Sequence, residues 1–156
     1  MKRERQYDFR KKLLKIHDEK ICDTNRRAKD DEIILMDDLT IEMMENPHDV
    51  VKTATLDFAD YLTVSMGLKN ISVREGYFCE KNVVKIYMAA DVDVDLGDVN
   101  GYKGFWIKID ECVEIYAHDE RGAAQALYYL EDLMSFRKAP FLEKRDIRKK
   151  AVFKTH

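Results

Sequence analysis

Residues 104–134, GFWIKIDECVEIYAHDERGAAQALYYLEDLM, restrict the fold more than any other stretch of this chain. Phe105, Ile107 and Ile109 alternate with Trp106, Lys108 and Asp110. A period of two marks a half-buried strand, because successive side chains point to opposite faces. Val113, Ile115 and Ala117 repeat the pattern against Glu114, Tyr116 and His118, and only Asp110, Glu111 and Cys112 separate the runs. A short hairpin is the economical reading. A helix then opens with Asp119 as N-cap and places Ala123, Ala126, Leu127, Leu130, Leu133 and Met134 on one face. Pro140 stops it.

The preceding residues supply a second helix and further strands. Residues 1–20 read as a basic amphipathic helix with Phe9, Leu13 and Ile16 on one face, and 22–32 as loop. Residues 33–36 and the alternating Leu39, Ile41 and Met43 predict two strands joined by a turn at Asp37-Asp38. Asn46-Pro47 is a helix start, Asn as N-cap and Pro at the first helical position, and the helix runs to Met66 with Gly67 terminating it. Ile71–Arg74 and Val83–Ala90 predict two more strands, the second apolar enough to be central. Residues 91–103 read as a long hairpin tip. The fold class expected is α+β: a mostly antiparallel sheet with two main helices, Pro47–Met66 and Glu120–Phe136, packed on one face, plus the N-terminal helix.

The length of 156 residues suits a single domain. Net charge is −3, which argues against nucleic acid as a partner. No apolar run approaches the ~20 residues that span a bilayer, and the basic N-terminus lacks the apolar core of a signal peptide. A cytoplasmic location is the expectation. Cys22, Cys79 and Cys112 are dispersed and form no zinc spacing, so they read as reduced structural thiols.

The order Gly-aromatic-x-aliphatic-x-aliphatic, turn, aliphatic-x-aliphatic-x-Ala, then a Gly opening a helix that ends Leu-x-x-Leu, is carried by Gly104, Phe105, Ile107, Ile109, Val113, Ile115, Ala117, Gly122, Leu127, Leu130 and Leu133. This pattern resembles the small α/β domain that precedes the catalytic barrel in family-20 glycoside hydrolases. Similar domains precede the barrels of α-glucuronidases. Two positions depart: Gln125 stands where the family usually has Tyr, and Asp132 where it has Gln. The resemblance implies a non-catalytic accessory domain supporting a downstream catalytic barrel on the same polypeptide. Residues 141–156 would then begin the connection to that barrel. The alternative is a stand-alone carbohydrate- or protein-binding module with the same fold.

The residues hold no constellation that performs chemistry unaided. The adjacent Asp-Glu pair of family-20 enzymes sits late in the barrel, in a motif this chain lacks. Asp31-Glu32, Asp110-Glu111 and Asp119-Glu120 are each explained by turn or helix-start chemistry. The histidines His17, His48, His118 and His156 are dispersed. Asp91, Asp93, Asp95 and Asp98 are spaced like a calcium loop, but Leu96 and Tyr102 occupy the positions that need Gly and Glu. Alternation with Val92 and Val94 makes this run the solvated face of a strand end, and no metal or other cofactor is expected. Trp106, Tyr128 and Tyr129 are the candidates for stacking on a sugar or packing against the barrel. Lys144, Arg145, Arg148, Lys149 and Lys150 read as an edge strand whose charges discourage further pairing.

Overall fold

The alternating runs fold as the expected hairpin. β5 (Phe105–Ile109) and β6 (Val113–Ala117) pair antiparallel, with Phe105 opposite Ala117 and Ile109 opposite Val113. All six inward residues of the pair are buried. A computed structural model describes residues 20–150, so the helix expected over 1–20 and the segment after 150 lie outside the described residues.

The other elements are β1 (Glu32–Ile34), β2 (Thr40–Met43), α1 (Asp49–Val64), β3 (Ser72–Glu75), β4 (Val83–Met88), α2 (Glu120–Arg137), β7 (Phe141–Glu143) and β8 (Arg145–Lys149). Six strands form one sheet in the order β3-β2-β4-β6-β5-β8, and β1 pairs with β7 separately. The inward residues of this sheet join one core with the facing residues of both helices: Ile41, Val84, Ile86, Ile107 and Ile115 meet Phe58, Leu62, Leu127, Leu130 and Met134. Each such side chain contributes about 1.5–3 kcal/mol on burial. The α+β class and the two-helix layer are as the sequence predicts.

Strand direction differs from the expectation. The main sheet is mixed: β3, β2, β4 and β6 are mutually parallel, and β5 alone is reversed, antiparallel to both β6 and β8, so β8 points with the first four. Residue alternation reports which face a side chain takes, not which way the strand runs. The connections decide direction. α1 carries the chain from the carboxyl end of β2 back to the start of β3, as parallel neighbours require. Residues 89–104 are not a hairpin tip, because β6 lies between β4 and β5. They form two 3-10 turns, Ala89–Val92 and Gly97–Val99. β8 is one of the two edge strands of this sheet, so residues 145–149 are part of it.

Helix starts show one correction and one agreement. α1 is capped by His48, whose Nδ1 accepts the Val50 N–H at 3.0 Å, while Asn46 takes a left-handed conformation two residues earlier. Gly67 is left-handed, as expected of a terminator. Asp119 caps α2: one carboxylate oxygen accepts the Gly122 N–H at 2.7 Å and the other the Lys103 N–H at 3.0 Å. It therefore ties the end of the 89–104 connection to the helix. Asp119→Ala should lower stability by about 1–2 kcal/mol, read as a fall in the urea midpoint. An unchanged midpoint would refute the tie. No helix among the described residues is long and apolar enough to cross a membrane.

Candidate functional site

The face of the sheet away from the helices carries two ordered rows. Arg74, Glu42, Lys85, Glu114, Lys108 and Asp146 lie side by side across all six strands, alternating in charge. Two residues toward the carboxyl end of β4, Tyr87, Tyr116, Trp106 and Arg148 form a second row. Neighbouring rings stack, Tyr87 on Tyr116 at 5.1 Å and Tyr116 on Trp106 at 5.0 Å. The Arg148 guanidinium lies 4.4 Å from the Trp106 ring centre, and Tyr77 stacks on Tyr87 at 4.4 Å. The result is a continuous ladder of five side chains. Burial pushes the Tyr116 hydroxyl up to about 12 and raises Tyr77 and Tyr87 as well, so the three tyrosines stay neutral through the physiological range and Arg148 carries the ladder's one charge.

Two segments fold over this face. Residues 89–104 cover its middle, where Leu96 and Val99 pack with Trp106 and Tyr116 and the Leu96 carbonyl accepts from Arg148. Residues 76–82 return the chain from β3 to β4 across β2. The anchor of that crossover is Glu42, which is fully buried. Its carboxylate accepts the backbone N–H groups of Phe78 at 2.9 Å and Cys79 at 3.1 Å, and the Arg74 guanidinium at 2.7 and 3.0 Å. Burial by itself would raise the Glu42 pKa, but these donors outweigh it and hold the carboxyl below its ordinary value. Tyr77 adds a 2.6 Å bond from its hydroxyl to the Ile86 carbonyl.

Where the crossover meets the ends of β2 and β4 there is a groove of about 380 Å³. Tyr77, Tyr87, Met44 and Met88 line it, Phe78 and Val92 stand at its mouth, and Glu45 and Asp91 supply exposed carboxylates. Phe78 is 73% exposed.

The three aromatic candidates fall in different places. Trp106 is a rung of the ladder, flanked by Tyr116 and Arg148 on its two neighbouring strands. Tyr129 sits across the sheet on α2, against Phe105 and under Lys149, and Tyr128 is on the exposed side of that helix. The aspartate run is not a strand end: Asp91 lies in a 3-10 turn, Asp93 is left-handed, and Asp95 accepts the Gly97 N–H. Among the described residues no three His, Cys, Asp or Glu side chains are grouped to hold a metal ion. Of the adjacent acids, Glu32 forms a two-pronged pair with Arg137 at 2.9 Å, and Asp119 is a cap. Glu42, Tyr77, Phe78 and Tyr87 escaped sequence reasoning. The one available signal was that Tyr87, Tyr116 and Trp106 all occupy outward positions of their strands.

No protein-family model matches the sequence, and no curated protein matches it. The fold does match solved structures. CpGH84D superposes with a TM-score of 0.56 at 8% identity over 80% of this chain and 22% of that one. A β-N-acetylhexosaminidase from Bacteroides fragilis gives 0.52 at 11% over 79% and 22%. BtGH115A, a family GH115 4-O-methyl-α-glucuronidase with specificity for decorated arabinogalactans, gives 0.56 at 12% over 78% and 18%. These neighbours are glycoside hydrolases, and the likeness is one of fold. The chain spans about a fifth of each of them.

Proposed function

We propose that this chain is a non-catalytic domain of a glycoside hydrolase, most akin to the β-N-acetylhexosaminidase type, bracing a catalytic barrel on the same polypeptide. The observation that carries the reading is that three glycoside hydrolases each contain this fold as about a fifth of their length. Glu42, Glu32 and Asp119 each serve a structural bond, which accords with it. The isolated chain is expected to leave aryl N-acetylglucosaminides and aryl glucuronides unhydrolysed. Turnover that disappears when one of its own carboxylates is changed to the amide would overturn the reading. The companion measurement is the mass of the native protein in its source cells, by antibody. A band several times 18.4 kDa supports a larger hydrolase. A band at 18.4 kDa favours the second reading, a stand-alone binding module, for which the aromatic groove at the ends of β2 and β4 speaks.

A further inference from the structure

We propose that the groove at the carboxyl ends of β2 and β4 binds a neutral saccharide, one pyranose ring lying against Phe78 with its hydroxyls donating to Glu45 and Asp91. The choice of a sugar as ligand rests on the glycoside hydrolase reading; the site itself rests on topology and on the groove.

The topology comes first. β2 and β4 are parallel neighbours, so their carboxyl ends lie together. From β2 the chain leaves through α1 toward β3, on one side; from β4 it leaves through 89–104 toward β5, on the other. Where neighbouring parallel strands send their connections in opposite directions, a crevice opens at their carboxyl ends, and ligands of open α/β sheets bind there. The groove occupies that position, with Met44 and Glu45 following β2 and Asp91 and Val92 following β4. Its volume of about 380 Å³ lies within the range of ligand pockets, roughly 300–1,000 Å³.

The walls define the ligand. Tyr77 is fixed by its stack on Tyr87 and its bond to Ile86, so the floor is rigid before anything binds. Phe78 is held through its N–H by Glu42, and the Arg74 guanidinium lies 4.7 Å from its ring centre, yet most of its surface faces solvent. An aromatic face beside acceptor-only groups suits a ring with one apolar C–H face and a rim of hydroxyl donors. Carboxylates accept and do not donate when ionised. Glu45 and Asp91 therefore welcome hydroxyls and repel a uronic acid. An alkylammonium ion would need a box of several open rings, but Tyr77 and Tyr87 cover one another, which leaves only the face of Phe78 turned away from Arg74.

The test is an amide NMR titration of the 156-residue chain with N,N′-diacetylchitobiose and cellobiose. Glucuronate is the anionic control and tetramethylammonium the cationic one. Saturable shifts at residues 44–46, 76–78 and 88–92 with a neutral disaccharide at millimolar concentration are expected, with none from glucuronate. Phe78→Ala removes an exposed ring, so the variant should keep its spectral dispersion and bind at least about tenfold more weakly, a change of about 1.4 kcal/mol. Asp91→Asn should weaken binding less. The proposal fails if neither disaccharide gives saturable shifts, if the shifts lie elsewhere, if Phe78→Ala binds unchanged, or if only tetramethylammonium saturates the groove. Such a failure leaves the hydrolase-domain reading standing, because native mass and hydrolysis assays decide that independently.

Discussion

Gly104→Ala is expected to cost about 3 kcal/mol and to loosen the cover over Trp106. A Cβ on Gly104 would overlap the Val99 carbonyl oxygen and lie 2.8 Å from the Gly101 oxygen. Both are backbone atoms, so relief requires moving the 97–103 segment that seals the middle of the ladder. Gly122→Ala is the sharper test because two effects oppose each other. In an exposed helix interior, alanine is favoured over glycine by about 1 kcal/mol. Here the new methyl would overlap the Gly104 carbonyl oxygen, which is also backbone. The overlap should win, giving a net loss of about 2 kcal/mol. Gly101→Ala is the control: a Cβ there meets nothing within 4 Å, and the change should be close to neutral. Urea midpoints for the three variants decide the matter. A stabilised Gly122→Ala would show that helix and strand do not approach as described.

Glu42→Ala should lower stability by about 1–3 kcal/mol, the cost of leaving a covered donor without its acceptor, while the part-exposed Arg74 can turn to water. It strands the Phe78 and Cys79 N–H groups beneath the crossover. Glu42→Gln should cost less, because an amide oxygen still accepts one N–H. The pH dependence has a definite sign. The folded carboxyl titrates below the reference value of 4.5, so the native state binds fewer protons than the unfolded chain. Its contribution is complete above that reference and is lost as pH falls through the lower folded value. Glu32 is depressed as well, by its hydrogen bonds from Arg137, and acts in the same direction. Between neutral pH and about 4.5 the buried Glu131, pushed up to about 8, acts the other way, so the comparison is made below that range: from about 4.5 down to about 3 the denaturation midpoint should fall more steeply for the parent than for Glu42→Gln. Parallel profiles would mean that Glu42 is not held as its contacts indicate.

The hairpin and α2 could be read because each has a strong local period and explicit punctuation at Asp119 and Pro140. The glycines that carried the resemblance, Gly104 and Gly122, have a physical reason: the start of α2 presses on the backbone that opens β5, and neither position has room for a side chain. What escaped the sequence is non-local. Nothing around Glu42 announces that a segment thirty-odd residues later folds across it, and an isolated Glu between Ile41 and Met43 reads as an ordinary outward residue. Parallel pairing was hidden for the same reason, since it depends on where α1 and residues 76–82 return the chain. The groove combines residues following three different strands, so no contiguous motif could mark it. At the start of α1, Asn46-Pro47 gave a strong signal, and the helix nevertheless begins two residues later, under His48.

The row of alternating charges across the open face bears on errors in assembly. Slipping one strand by a single residue would turn its apolar side chains outward, and the core rejects that mistake. A slip of two residues keeps every apolar side chain inward, so the core is nearly blind to it. On the open face the same slip of β4 against β6 would set Lys85 opposite Tyr116 and Val83 opposite Glu114, instead of Lys85 opposite Glu114. Each correct cross-strand pair of opposite charges contributes only about 0.2–1 kcal/mol. Together they act as a parity check, distinguishing the native alignment from the one misalignment that hydrophobic burial cannot detect.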